Sequence, residues 1–203
     1  MRCTLLPTAQ RTAAPWKNGG GRTWEIAIGP ADAGLDDFDW RISMARVDTE
    51  GPFSRFPGIV RTLAVLEGAL RLRVQAQPAG AIAQKEYAMR LDRETAPWRF
   101  DGDVPVHAEV IAPVLDLNLM HRPNRCHASL QRMDDGDALV ETPVAFFLAT
   151  APMRLAWTEP TGLEGHADLQ IHDALRLDEA TGVRLQWPEG VLGYSIRITP
   201  RPQ

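Results

Sequence analysis

The sequence predicts an all-β protein with two β-barrel halves in one chain. Short runs in which apolar and polar side chains alternate recur along the 203 residues, separated by glycine, proline and aspartate. Long stretches with a helical period do not occur. A segment of the first half returns in the second half, which indicates a duplication. Roughly a dozen short strands with turn residues between them are typical of sandwiches and barrels.

The bounds of the predicted strands follow from where the alternation starts and stops. Glycine, proline and aspartate end most runs because these residues favour turns. The predicted strands cover residues 23–28, 40–47, 61–66, 69–75, 106–111, 115–120, 144–148, 153–157, 167–172, 183–187 and 193–199.

An ungapped match between a segment of the first half and a segment of the second half supports the duplication. Residues 88–95 (AMRLDRET) share five of eight positions with residues 174–181 (ALRLDEAT). A repeat of roughly 80 residues has the size of one small β-barrel. We therefore place a first half at residues 1–132 and a second, degenerate half at 133–203, packed together as one unit. Chance similarity among strands rich in leucine, arginine and aspartate is the alternative.

Charge and composition exclude several classes of protein. There are 22 Lys and Arg against 26 Asp and Glu, so a net charge of -4 gives no general attraction to nucleic acid. No apolar stretch approaches the roughly 20 residues of a membrane span, and the N-terminus lacks the apolar core of a secretory signal. We therefore expect a cytoplasmic protein that binds neither nucleic acid nor membrane, with Cys3 and Cys126 reduced.

The first distinctive segment, WKNGGGRTWEI, has three consecutive glycines before a strand. Glycine allows positive φ and close backbone approach, so a loop of this kind can turn its N–H groups toward an anion. A flexible turn is the alternative. The segment lacks the order of residues found in nucleotide-binding loops, so nucleotide binding is not inferred. The candidate ligand contacts in this loop are Asn18, Gly19, Gly20 and Gly21.

The second segment, GPFSRFPGIVRTLAVLEG, surrounds Phe53 and Phe56 with glycine and proline and continues into a strand. In an alternating strand, Arg61 shares a face with Leu63 and Val65. An arginine beside apolar core positions needs a counter-charge or an anionic ligand. The segment therefore predicts a pocket at Arg61, walled by Phe53 and Phe56, in which Arg61 meets either an anionic ligand or a structural counter-charge.

The third segment, VLDLNLM, divides into an apolar face of leucines and a polar face that carries Asp116, Asn118 and Met120. The strand WRISMAR divides in the same way, with Arg41 on its polar face. In an exposed sheet the polar face meets water, which is the usual case. In a closed barrel it lines the lumen, where Asp116 and Asn118 contact a ligand or pair with Arg61.

Together, these segments resemble the signature blocks of the HutD/Ves family and occur in that family's order. The close resemblance covers roughly residues 10–125. It implies a cupin fold, the double-stranded β-helix, here as a bicupin with two halves. HutD members are associated with histidine utilisation and Ves members with an environmental stress response. The resemblance implies a regulator or binder of a pathway metabolite, with formylated or carboxylate intermediates as candidate ligands.

The cupin resemblance raises the question of a metal. Many cupins hold a metal with two histidines and a glutamate on one strand pair and a further histidine on a later strand. The corresponding strand here reads RTLAVL, and His107 alone cannot bind a metal tightly. We therefore predict that the protein has no metal and no cofactor.

Three classes of function remain open at this point. The first is a binding protein for a small anionic or polar metabolite, with Arg61 pairing with its carboxylate. The second is a cofactor-free isomerase or hydrolase that uses Asp116 or Glu25 as the base beside Arg61. The third is a protein-interaction module, and the cupin resemblance also allows a homodimer. A binding protein is the preferred interpretation, because no nucleophile motif occurs.

Overall fold

The computed structural model describes residues 1–16, 19–76, 85–134 and 136–202. Within those ranges the chain forms seventeen β-strands and one short 3₁₀ helix, Thr8–Gln10. No helix in these ranges is long and apolar enough to cross a membrane. The prediction of an all-β protein is confirmed.

The strands follow one another along the chain with short connections. The first nine are β1 (Arg2–Leu6), β2 (Ala13–Pro15), β3 (Gly21–Gly29), β4 (Trp40–Val47), β5 (Gly51–Pro52), β6 (Val60–Ala76), β7 (Lys85–Asp92), β8 (Trp98–Asp101) and β9 (Val106–His121). The other eight are β10 (Cys126–Met133), β11 (Gly136–Val140), β12 (Val144–Ala149), β13 (Met153–Thr158), β14 (Glu164–Leu169), β15 (Ala174–Asp178), β16 (Val183–Trp187) and β17 (Gly193–Pro200).

Residues 12–124 form one compact unit, which we call the central unit. Its strands lie in the order β2-β3-β4-β9-β6-β7, with β5 paired to β9 and β8 paired to β6. Apolar side chains on one face of this sheet pack together, among them Leu63, Leu72, Phe100 and Val114. This packing is what the two-residue alternation of β6 and β9 predicts.

Strands β6 and β9 are longer than the sequence predicted. Predicted pairs of strands merge, 61–66 with 69–75 in β6 and 106–111 with 115–120 in β9. The pairing register between them shifts in this region. There Gly68 has a φ of +77°, and an added Cβ would meet the carbonyl oxygen of Pro113. A β-bulge interrupts the alternation without ending the strand, so it looks like a break in the sequence.

Residues 1–11 and 125–203 form the second compact unit, the terminal unit. It contains one sheet in the order β1-β15-β12-β17-β10 and another in the order β11-β16-β13-β14. Side chains from both sheets meet in one buried cluster, which includes Phe147, Leu155, Leu175 and Leu185. In the described part of the chain, the sheets of both units follow open paths, whereas the sequence predicted closed barrels.

The division into units differs from the predicted halves, 1–132 and 133–203. Strand β10 pairs with β17 along its whole length, and β1 pairs with β15. Both strands therefore belong to the terminal unit, although β1 and all of β10 except Met133 precede the predicted boundary. The differences arise because pairing between strands far apart in the sequence leaves no local signal in either strand.

Glycine allows a tryptophan ring to lie across a neighbouring strand in the terminal unit. Gly165 lies opposite Trp157, and an added Cβ at Gly165 would come within 2.5 Å of the indole ring. Gly165→Ala should therefore lower the free energy of unfolding by about 1–3 kcal/mol, because the ring must move from its packed position. Urea denaturation measures the change. Gly51→Ala is the control, since nothing lies within 4 Å of its Cβ position. Equal stability of the two variants would contradict this account.

Candidate functional site

Polar side chains lie on the core-facing side of the central unit's sheet, which we call the inner face. Strands β4, β9 and β6 are neighbours there, and residues directly opposite each other in a pleated sheet point to the same side. The register aligns three rows across these strands, Arg61–Met120–Arg41, Leu63–Asn118–Ser43 and Val65–Asp116–Ala45. The candidate residues of three predicted strands therefore share one face.

Arg61 is buried, with 7% of its surface exposed, and aromatic rings surround it. Its guanidinium carbon lies 5.0 Å from the ring centre of Phe53, 5.7 Å from Phe56 and 5.1 Å from Phe100. Nη1 donates a hydrogen bond of 3.3 Å to the carbonyl oxygen of Ser54. Nε is buried without a hydrogen-bond partner among the described residues. The charge is thus held mainly by ring faces, which attract cations but accept no conventional hydrogen bond.

Asp116 and Asn118 lie on the inner face of β9 and are equally shielded. Their exposed fractions are 3% and 7%. The Oδ1 atom of each residue is buried and has no hydrogen-bond partner in the part of the chain that the structure describes. A backbone hydrogen bond from Ala45 holds the Asp116 carboxyl. Unpaired buried acceptors are rare in folded proteins, so these two oxygens are candidates to accept a hydrogen bond from a ligand.

Burial dominates the electrostatics of Arg61 and Asp116. It lowers the pKa of Arg61 to about 10, while Asp116 opposes the change and Arg41 adds to it. Burial also raises the pKa of Asp116 to about 7, against the opposing effects of Arg61 and of the hydrogen bond at Ala45. Loss of hydration therefore outweighs the mutual attraction of the two groups. At neutral pH the arginine is charged and Asp116 is partly protonated.

Arg41 lies at the edge of this group and has its own partner. Its Nε donates a hydrogen bond of 2.8 Å to Oε2 of Glu25, in a pair whose side chains are 13% and 45% exposed. Glu25 was a candidate base beside Arg61, and the structure pairs it with Arg41 instead. The two arginines share a row of the inner face, which is why Arg41 affects the pKa of Arg61.

In the glycine loop, the backbone positions of two glycines explain why these residues lack a side chain. Asn18 lies outside the described residues. Gly19 has a φ of +72°, and an added Cβ at Gly21 would meet the carbonyl oxygen of Arg46, so close approach to β4 explains that glycine. Gly20 and Phe53 line one small hollow of about 10 Å³. Arg61 does not line this hollow, so the hollow does not connect the glycine loop with the buried guanidinium.

A larger cleft of about 560 Å³ opens beside the buried group. Its lining is charged and includes Arg55, Arg73, Glu86, His107 and Glu109. Arg73 pairs with both Glu86 and Glu109. Phe53 also lines the cleft, and the same side chain covers Arg61. Phe53 is therefore shared by the cleft lining and the aromatic surroundings of Arg61.

The inner face does not fit a metal ion. Its donor set is the carboxyl of Asp116, the amide of Asn118 and the hydroxyl of Ser43 beside the cation of Arg61, whereas divalent metals need several anionic or imidazole ligands. No group of three or more His, Cys, Asp or Glu side chains is placed to hold a metal anywhere in the described ranges. These residues support no metal-based chemistry at this face.

Sequence reasoning missed two contacts of Arg61. Phe100 lies in β8, a four-residue strand too short for a clear alternating pattern. The carbonyl of Ser54 is a backbone group, which side-chain patterns do not report. Met120 shares its row with Arg61 but packs against Phe38 and Ile59 in an apolar cluster.

The architecture is that of a cupin-type β protein. A single-site variant of oxalate decarboxylase from Bacillus subtilis matches with a TM-score of 0.63, covering 96% of this chain and 76% of that chain. The two sequences are 8% identical, so this likeness shows the fold alone.

The chain belongs to the HutD family, whose model matches residues 8–191. It is 33% identical to an uncharacterized 21.2 kDa protein in the hutC 3' region of Pseudomonas putida, over 90% of this chain and 92% of that protein. It is 36% identical to Protein Ves of Citrobacter koseri, over 59% of this chain and 58% of Ves. The structure of HutD from Pseudomonas fluorescens SBW25 matches with a TM-score of 0.79 and 28% identity, covering 99% of this chain and 100% of that chain. The resemblance to the HutD/Ves family is confirmed.

Proposed function

We propose that this chain is a metal-free binding protein for a small carboxylate metabolite, with Arg61 as the residue that pairs with the carboxylate. The observation that best supports this proposal is the buried guanidinium of Arg61, whose Nε has no hydrogen-bond partner in the described ranges. A carboxylate offers two acceptor oxygens to the planar fork of an arginine, and such bonds are among the strongest in proteins.

The energetics of the two buried charges support a role in binding. Burial shifts the pKa of Arg61 downward and that of Asp116 upward, so both charged forms are less stable in the folded protein than in water. Apolar residues of similar size would stabilise such a position better. Titratable groups whose burial is unfavourable are concentrated at functional sites. An anionic ligand would offset part of the cost of burying Arg61.

The cleft is the candidate entry to the site in this proposal. Phe53 is half-buried, lines the cleft and covers Arg61. Its segment is held by the hydrogen bonds from Phe53 N to Val106 O and from Phe56 N to Gly102 O. A ligand that enters from the cleft would have to pass the Phe53 side chain, since Phe53 belongs both to the cleft lining and to the surroundings of Arg61.

The names of the relatives suggest a setting. One relative lies in the hutC 3' region and another is HutD itself, which favours a regulatory role in histidine utilisation over the stress response suggested by Ves. A cytoplasmic location and a small anionic or polar metabolite as the partner, without nucleic acid or membrane, belong to the same proposal. The homodimer suggested by the cupin resemblance stays a prediction.

A second candidate function is a cofactor-free isomerase or hydrolase. The observation in favour of this candidate is the pKa of Asp116, because a carboxyl with a pKa of about 7 is suited to accept and return a proton at neutral pH. Arg61 would then stabilise negative charge on the substrate. Conversion of a bound carboxylate, followed by NMR, would favour this candidate over a binding protein.

A thermal-shift screen tests the binding proposal. The carboxylate intermediates of histidine breakdown and other small carboxylates are compared with their uncharged amides. A true ligand at 100 times its dissociation constant stabilises the native state by about 2.7 kcal/mol, which raises Tm by roughly 5–10 °C for a chain of this size. The amides should give no rise. Equal shifts from acids and amides, or no shift from any acid, would contradict the proposal.

A further inference from the structure

The unpaired buried atoms on the inner face include a hydrogen-bond donor and hydrogen-bond acceptors. Arg61 Nε is an unpaired donor, whereas Oδ1 of Asp116 and Oδ1 of Asn118 are unpaired acceptors among the described residues. All three residues are more than nine-tenths buried and point to the inner face of neighbouring strands. A plain carboxylate would satisfy the donor and leave at least Oδ1 of Asp116 without a partner.

Asp116 is the group that decides between ligands. The amide of Asn118 can turn about its last torsion and present either its oxygen or its NH₂ group, so it adapts to a donor or an acceptor. An ionised Asp116 can only accept, and a second carboxylate oxygen placed against it is repelled. A ligand that brings both an acceptor for Arg61 and a donor for Asp116 leaves no conflict.

We propose that the ligand of this site carries a hydroxyl, amine or amide N–H donor next to its carboxylate, and that Asp116 selects for this donor. The preferred class is thus hydroxy-, amino- and acylamino-carboxylates over plain alkyl carboxylates. The inference rests on the proposed function, since it assumes that the carboxylate pairs with Arg61.

Two pairs of probes isolate the donor. Glycolate differs from acetate by one hydroxyl, and N-acetylglycine has an amide N–H where N-acetylsarcosine has an N-methyl group. At pH 8 the member with the donor should bind about tenfold or more tightly, as expected for a hydrogen bond to a charged acceptor. At pH 5.5 the preference should shrink, because a protonated Asp116 can itself donate to a plain carboxylate. Dissociation constants from NMR titration measure both effects.

Asp116→Asn tests the selecting residue while preserving its shape. The amide can donate or accept, so the variant should bind acetate more tightly than the wild type at pH 8. Its preference for glycolate should fall to less than about threefold and lose its pH dependence. Asp101→Asn is the control, because Asp101 is exposed and lies in β8 of the same unit. It should behave as the wild type does.

The possible outcomes separate this inference from the proposed function. If all four probes bind in an Arg61-dependent way with equal affinity at pH 8, carboxylate binding stands and selection by Asp116 is wrong. If no probe binds at either pH, both are wrong for small carboxylates, and water satisfies the unpaired atoms. A preference for the donor that persists unchanged in Asp116→Asn would also overturn the role of Asp116.

Discussion

Replacing Arg61 with methionine should weaken carboxylate binding by about 30-fold to several thousand-fold, which corresponds to about 2–5 kcal/mol for the loss of a buried charge partner. The variant should still fold. Methionine keeps much of the apolar volume against Phe53, Phe56 and Phe100, and it removes a cation whose burial is unfavourable. Asp116 loses an attractive charge, but it can take up a proton instead of remaining as a buried anion.

Isothermal titration with the best ligand of the screen measures this change, and circular dichroism monitors the fold. Arg99→Met is the matched control, since Arg99 is exposed and adjoins Phe100 in β8. Arg61→Lys adds a second test, because lysine keeps the charge but loses the planar fork, so binding should be intermediate. Unchanged affinity in Arg61→Met would remove Arg61 from the site.

Replacing Asp116 with asparagine should stabilise the protein at pH 8 and leave its stability nearly unchanged at pH 4. The pKa of Asp116 rises from 3.8 to about 7 on folding. The folded state therefore binds more protons than the unfolded state between these values, so the contribution of Asp116 to stability falls as pH rises through this window. The full loss, present above pH 7, is on the order of 4 kcal/mol.

The difference in unfolding free energy between variant and wild type isolates this effect from the other carboxylates. Urea denaturation at several pH values between 4 and 8 should show a difference that grows with pH and levels off above 7. Asp101→Asn, which replaces an exposed carboxylate in β8, is the matched control for the chemical change. If the difference for Asp116→Asn is constant across this range, Asp116 does not titrate as a buried group.

The buried pair Arg61 and Asp116 shows why a fold can retain residues that destabilise it. The two groups lie on adjacent strands and attract each other, yet neither gains enough attraction to offset its lost hydration. A core optimised for stability alone would be apolar at these positions. The proposed binding function accounts for this arrangement, since pre-placed charges need little rearrangement when a ligand binds.

Local periodicity determined much of the architecture without any tertiary information. Alternation predicts the all-β class and puts Arg61 with Leu63, and Asp116 with Asn118, because side chains two apart on a strand point to the same side. The structure has the same arrangement. The glycine-rich and proline-rich segments are local as well, so the family could be identified from them.

Tertiary structure alone decided which elements are partners. The bulge near Gly68 joins what look like separate strands, and β1 and β10 are assigned to the terminal unit only by pairing with β15 and β17. Phe100 reaches Arg61 through the pairing of β8 with β6. Burial likewise determines whether Asp116 is charged, because its pKa depends on how much water the packed sheet excludes. These outcomes depend on contacts between residues far apart in the chain, and no local pattern encodes such contacts.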